Sequence, residues 1–159
     1  MTQPPRVYVD TSVFGGCFEI EFQLHSTKLF EWAGVGKLTV LVSDVVTVEI
    51  QRAPAHVQSV LRSIPTRMIE FLPLSDEVLM LRDAYLAARV VSTRWIDDAT
   101  HVAFATMARA DAIVSWNFKH IVRLDKIKAY NQVNSTMGYG HLTILSPREV
   151  MGDESESES

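Results

Sequence analysis

Five short runs of apolar, mostly β-branched or aromatic residues punctuate the chain, at 6–10, 38–42, 68–72, 112–115 and 142–145. Segments with helical character separate them. Runs this short and this apolar suit strands buried on both faces. Strands alternating with helices imply right-handed crossovers and a mostly parallel sheet covered on both sides. The expected architecture is a three-layer α/β/α domain, and in open sheets of this kind ligands bind at the C-terminal edge of the strands.

The connecting segments carry recognisable boundaries. A helix is expected over 21–33, closed by Gly34 and Gly36, after a turn at Thr11-Ser12-Val13 and a stretch over 13–20 that contains Gly15-Gly16. Ser43 or Asp44 should cap a helix that ends before Pro54, and another should run over 55–63. Ser75-Asp76-Glu77 opens a strong amphipathic helix. Further helices are expected over 97–109 and 121–132, with a short last one announced by Ser146-Pro147-Arg148-Glu149.

At 159 residues, 47% hydrophobic and 21% charged, the chain has the size and composition of one globular domain. That domain is expected over 1–151, followed by an acidic, disordered tail over 152–159. The net charge of −4 comes from that tail: setting aside Asp153, Glu154, Glu156 and Glu158 leaves 15 acids against 15 Lys and Arg. A neutral body neither demands nor excludes a nucleic-acid partner. No apolar run approaches the roughly 20 residues of a membrane span. Met1-Thr2-Gln3-Pro4-Pro5 lacks the basic and apolar regions of a secretory leader. Cys17 is the single cysteine, which excludes an internal disulfide and a cysteine-based zinc site and points to a reducing, cytoplasmic setting.

Acids fall where such a fold places its ligands. Asp10 ends the first strand, Glu49 lies in the helix after the second, and Asp97 and Asp98 open the helix before the fourth, which Ser115 and Asn117 follow. Converging carboxylates resist joint ionisation unless a cation neutralises them. A hard divalent ion with oxygen ligands, Mg²⁺ or Mn²⁺, is the natural partner, and such sites serve phosphoryl chemistry. Each acid also has a plainer reading. Asp10 suits a turn or N-cap, Asp97 suits an N-cap, and Glu49 suits a surface. His101, three residues after Asp98, either lines the site or packs elsewhere.

Taken together, Val7-Tyr8-Val9-Asp10-Thr11-Ser12, Glu49, the Asp98-Ala99-Thr100-His101-Val102-Ala103-Phe104-Ala105 segment, and the Ala110–Asn117 segment resemble a PIN domain, the family that includes VapC-type toxins of toxin–antitoxin pairs. The resemblance implies a central parallel five-stranded sheet and a Mg²⁺- or Mn²⁺-dependent endoribonuclease. It implies Asp10, Glu49 and Asp98 as metal-binding acids, with Ser12 supporting the first. Where many members have a fourth acid, this chain has Asn117, which brings no negative charge and should weaken a second metal site most. Asn117 and Ser115 are expected to orient water, and Asp97 to support the acids. An inactive, binding-only descendant is the alternative; a phosphatase or phospho-acceptor lacks its parts.

Lys119, His120, Arg123, Lys126 and Lys128, interleaved with Trp116 and Phe118, are expected to hold an RNA backbone and stack on unpaired bases, with Arg52, Arg94 and Trp95 as weaker candidates. A solvated basic helix with core aromatics is the competing reading. The series Phe14, Phe18, Ile20, Phe22, Leu24, Leu29, Phe30 and Trp32 exceeds what one core layer needs, and suits a homodimer face or an antitoxin segment.

Overall fold

Val7, Tyr8 and Val9 are each at most 3% exposed, which places strand β1 (Arg6–Val9) at the centre of the sheet. A computed structural model describes residues 3–152, so the tail beyond Gly152 lies outside the described residues. From β1 the chain passes through helices α1 (Thr11–Gly16) and α2 (Gln23–Gly34) to β2 (Thr39–Ser43), then through α3 (Asp44–Gln51) and α4 (Ala55–Ser63) to β3 (Ile69–Leu72). Helices α5 (Asp76–Ala87) and α6 (Ile96–Met107) lead back to β4 (Ala112–Val114). Helix α7 (Leu124–Thr136), β5 (Ile144–Leu145) and α8 (Pro147–Met151) complete the order.

All five strands are parallel, in the order β3-β2-β1-β4-β5. The strands thus run outward from β1 in one direction and then resume at β4 on its other side. That reversal opens a crevice at the C-terminal ends of β1 and β4, where α/β sheets bind their ligands. Successive β1 side chains point to opposite layers. Tyr8 lies flat against Phe104 of α6, with centroids 6.5 Å apart. On the other side Phe14 of α1 meets Phe30 of α2 at 4.7 Å. This is the three-layer α/β/α arrangement expected from the sequence.

Two local differences from the expected elements matter. Helix α1 begins directly after Asp10, where only a turn at Thr11-Ser12-Val13 was expected; Gly15 and Gly16 lie inside and at the end of a short helix. Gly16 is there because two side chains leave no room for a Cβ: one built on it would stand 2.6 Å from Ser26 Oγ and 2.7 Å from Trp116 Nε1. Second, α5 and α6 both end in arginine residues with positive φ, Arg89 at 59° and Arg109 at 54°. Each end has paired Schellman bonds, Val90 N to Tyr85 O and Arg89 N to Leu86 O, then Ala110 N to Ala105 O and Arg109 N to Thr106 O. An L-residue in this conformation costs about 1–2 kcal/mol. Arg89→Gly should therefore stabilise the exposed α5 end by about 1 kcal/mol and raise Tm by about 3 °C. A thermal melt showing no rise, or a fall, would contradict that strain.

Candidate active site

Asp10 occupies the N-cap position of α1, yet its side chain makes no cap bond. Two serines hold it instead. Ser12 Oγ donates to Asp10 Oδ1 at 2.5 Å, and Ser115 Oγ donates to Oδ2 at 2.5 Å. Each hydroxyl also accepts a backbone N–H from the segment after β4, Trp116 N onto Ser12 Oγ at 3.0 Å and Asn117 N onto Ser115 Oγ at 2.9 Å. Accepting those bonds directs both hydroxyl protons at the carboxylate. Asp10 is 4% exposed, and burial pushes its pKa up despite the nearby His101 and the two serines.

Glu49, on α3, reaches the same place through a chain of polar groups that begins in β2. Ser43 caps α3, accepting from Val46 N at 3.2 Å. Its hydroxyl meets Tyr8 OH at 2.8 Å, Tyr8 OH meets His101 Nδ1 at 2.7 Å, and His101 Nε2 meets Glu49 Oε1 at 2.9 Å. With the ring neutral every proton runs one way, Ser43 to Tyr8 to His101, and Nε2–H to the carboxylate; protonating the ring turns the Tyr8 hydroxyl back toward Ser43. Burial alone would lower the His101 pKa. The bond to Glu49 and the charges of Asp10, Glu49 and Asp98 outweigh it and raise the pKa. Burial would raise the Glu49 pKa, but His101 pulls it below its ordinary value.

Tyr8→Phe leaves Ser43 Oγ and His101 Nδ1 facing an apolar edge. It should cost about 1–3 kcal/mol of stability. If Glu49 serves a reaction, activity should fall by about 10–100-fold, as for other groups that orient a ligand. A melt and a rate on one preparation check both.

Asp98 lies in the first turn of α6, half-buried, with its pKa raised by burial against the opposing influence of His101, His120 and an Asn117 hydrogen bond. Asn117 Oδ1 accepts from Lys119 N at 3.2 Å and His120 N at 2.9 Å. The amide oxygen thus shapes the turn after β4, and its NH₂ is the donor left for Asp98. Asp97 is exposed and is not the α6 cap; Trp95 holds that position. Asp97, Glu49, Asp98, Asn117, Lys119 and His120 share one open cavity of about 510 Å³.

The other expected nucleic-acid residues are placed differently. Trp116 is 8% exposed, stacked on Phe22 and bonded through Nε1 to Ser26 Oγ at 2.8 Å, so it serves the core. Arg123 is paired with Asp125 at 2.6 Å, and Lys126 Nζ donates to Val90 O at 2.6 Å. Tyr8 is the member of the site that sequence reasoning left without a role; Ser43 was expected only as a helix cap, and His101 either to line the site or to pack elsewhere. The spacing of His101 from Asp98 was the available signal.

The fit of a divalent cation is mixed. The donors are carboxylates, hydroxyls and an amide, the hard oxygen set that Mg²⁺ and Mn²⁺ prefer. Among the described residues no Lys or Arg ion pair reaches Asp10, Glu49 or Asp98. Thr11 Oγ1 is buried with no hydrogen-bond partner; it lies close enough to Glu49 to favour the carboxylate's charge without reaching bonding geometry. A hydroxyl so placed beside an acid could accept from or donate to a water of a hydrated ion. Against this, among the described residues no three His, Cys, Asp or Glu side chains are grouped to chelate a metal directly. A Mg²⁺ ion that keeps several waters and touches one or two carboxylates satisfies both observations.

No protein-family model and no curated protein matches the chain. Solved structures do. A chain of VapBC2 from Rickettsia felis, determined bound to a DNA fragment from their promoter, is 13% identical over 89% of this chain and 98% of that one, with a TM-score of 0.55. A chain of FitAB, bound to an IR36 DNA fragment, is 11% identical over 89% and 94%, with a TM-score of 0.56. The PIN domain endonuclease Utp24 is 17% identical over 90% and 85%, at a TM-score of 0.47. At these identities the likeness is one of fold. Among the described residues no helix is long and apolar enough to cross a membrane.

Proposed function

We propose that this chain, with its VapC-like PIN-domain fold, is a metal-dependent endoribonuclease that hydrolyses phosphodiester bonds in RNA, either as a toxin or as a free-standing relative. The observation that carries the reading is the placement of Asp10. A buried carboxylate held by two serines and, among the described residues, by no Lys or Arg ion pair, at the crevice between β1 and β4, is costly as structure alone. Asp10, Glu49 and Asp98 would hold Mg²⁺ or Mn²⁺, one or two of them directly and the rest through its waters, and the bound ion would supply an acidified water and a counter-charge for the phosphate. Ser12 and Ser115 fix the Asp10 carboxylate, His101 fixes Glu49, and the Asn117 amide orients Asp98. Lys119 and His120, at the rim of the cavity, would hold the RNA backbone.

A second reading has its own support. With Asn117 committed to its turn and to Asp98, and no preformed three-ligand cluster among the described residues, the fold would serve as an RNA- or protein-binding module with weak turnover. RNA incubated with the protein and Mg²⁺ or Mn²⁺ distinguishes the two. Cleavage that stops with chelator supports the nuclease; binding of RNA without metal-dependent cleavage supports the module. A protein partner, either an antitoxin or a second copy, would have apolar surface to cover beside α1 and α2, where Phe18 is 49%, Leu24 69% and Ile20 96% exposed.

A further inference from the structure

Trp95 is the aromatic residue of the cavity, and the proposed chemistry does not use it. It ends a 3-10 turn (Thr93–Trp95) three residues before Asp98 and is 37% exposed, whereas Trp116 is buried in the core. Its ring lies on the His120 ring, with centroids 4.2 Å apart and planes 25° apart. The Arg94 guanidinium stands 5.0 Å from the Trp95 centroid. Arg94, Trp95 and His120 line the same cavity as Glu49 and Asp98. This is a flat aromatic wall flanked by cations and set beside acids.

We propose that Trp95 is the stacking seat for one unpaired base of the RNA strand, and that the base takes the place of the Arg94 guanidinium when the strand binds. The inference rests on the reading of the acids as an RNA-cutting site and adds to it the form of the substrate, single-stranded at the base next to the cut. The two ring neighbours differ in how firmly they are held. The His120 ring is stacked on Trp95, and its backbone is tied at both ends, the N–H to Asn117 Oδ1 at 2.9 Å and the C=O to Tyr130 OH at 2.9 Å, which anchors the residue that carries the ring. Arg94 is exposed, on a long flexible stem.

Magnitudes favour the exchange. An exposed guanidinium over an aromatic ring is worth roughly 2- to 5-fold in an equilibrium constant, and a base stacked on an aromatic side chain roughly 5- to 150-fold. The displaced guanidinium remains beside the strand, where it meets a phosphate. A duplex keeps its base faces covered and gains nothing from Trp95.

The test uses Asp98→Asn protein, so that the strand is not cut, and compares a labelled single-stranded RNA with an abasic ribose-phosphate strand of equal length. The strand with bases should bind about 10-fold tighter. Trp95→Ala should erase that preference while leaving the abasic strand's affinity unchanged, and Trp95→Phe, which keeps a ring, should retain most of it. Equal affinity for the two strands with Trp95 in place overturns the proposal, and this comparison needs no folded Trp95 variant. An unchanged preference in Trp95→Ala also overturns it. Separately, cleavage by the parent with Mg²⁺ or Mn²⁺ reports on the acids: cleavage without a base preference removes only the stacking seat, whereas no cleavage with either ion removes the nuclease reading itself.

Discussion

Gly16→Ala should lower the melting temperature by about 10 °C, since among the glycines only this one has no room for a Cβ. The new Cβ would stand 2.6 Å from Ser26 Oγ and 2.7 Å from Trp116 Nε1, and neither atom is the free end of a flexible side chain. Ser26 is fully buried and Trp116 is 8% exposed. Turning the serine hydroxyl away relieves one clash but strands the indole N–H, at about 1–3 kcal/mol, and moving the indole strains the core by a similar amount. The disturbance also reaches the acids, because Trp116 N fixes Ser12 Oγ, which in turn holds Asp10. Adding Ser26→Ala should cost less on the Gly16→Ala background than alone, since the bond it removes is already broken. A melt within 2 °C of the parent would show that α1 and the Trp116 turn are packed more loosely than described.

Asp10→Asn should separate stability from function. In metal-free buffer the variant should melt no lower than the parent, because a carboxylate 4% exposed, with no Lys or Arg partner among the described residues, loses more to burial than it gains from two hydroxyls. The amide still accepts from one serine and can donate to the other. Rates of metal-dependent RNA cleavage should nevertheless fall by at least about 10²–10³-fold, the scale of removing one electrostatic partner from an active site. A variant that melts well below the parent would mark Asp10 as a structural anchor.

Much of the fold was legible in the sequence because its strands are local signals. Val7-Tyr8-Val9 and Ala112-Ile113-Val114 are unbroken apolar runs, and their burial on both faces follows from that alone. The helix starts that carry a side-chain cap were legible as well: Ser43, Ser75 and Ser146 each accept the expected backbone bond. Helix ends were harder where arginine stands in a position that glycine usually marks, as at Arg89 and Arg109.

The site divides along the same line. The places of Asp10 after a strand, Glu49 within a helix and Asp98 in the first turn of another were readable from the sequence, whereas the partners of each were not, because they are distant in sequence. Trp116 sits among polar residues and reads as a surface aromatic; its hydroxyl partner Ser26 is 90 positions away. The route from Ser43 through Tyr8 and His101 to Glu49 joins four elements, and no spacing rule connects them. Asn117 reads as a missing acid until its oxygen is seen to hold the turn.

The most direct test is the cleavage of a single-stranded RNA by purified parent protein and by Asp10→Asn, each with Mg²⁺ or Mn²⁺ and again with chelator. The acid site described above predicts cleavage by the parent alone, and only with metal. Equal cleavage by the two proteins, or cleavage that survives chelation, would contradict it.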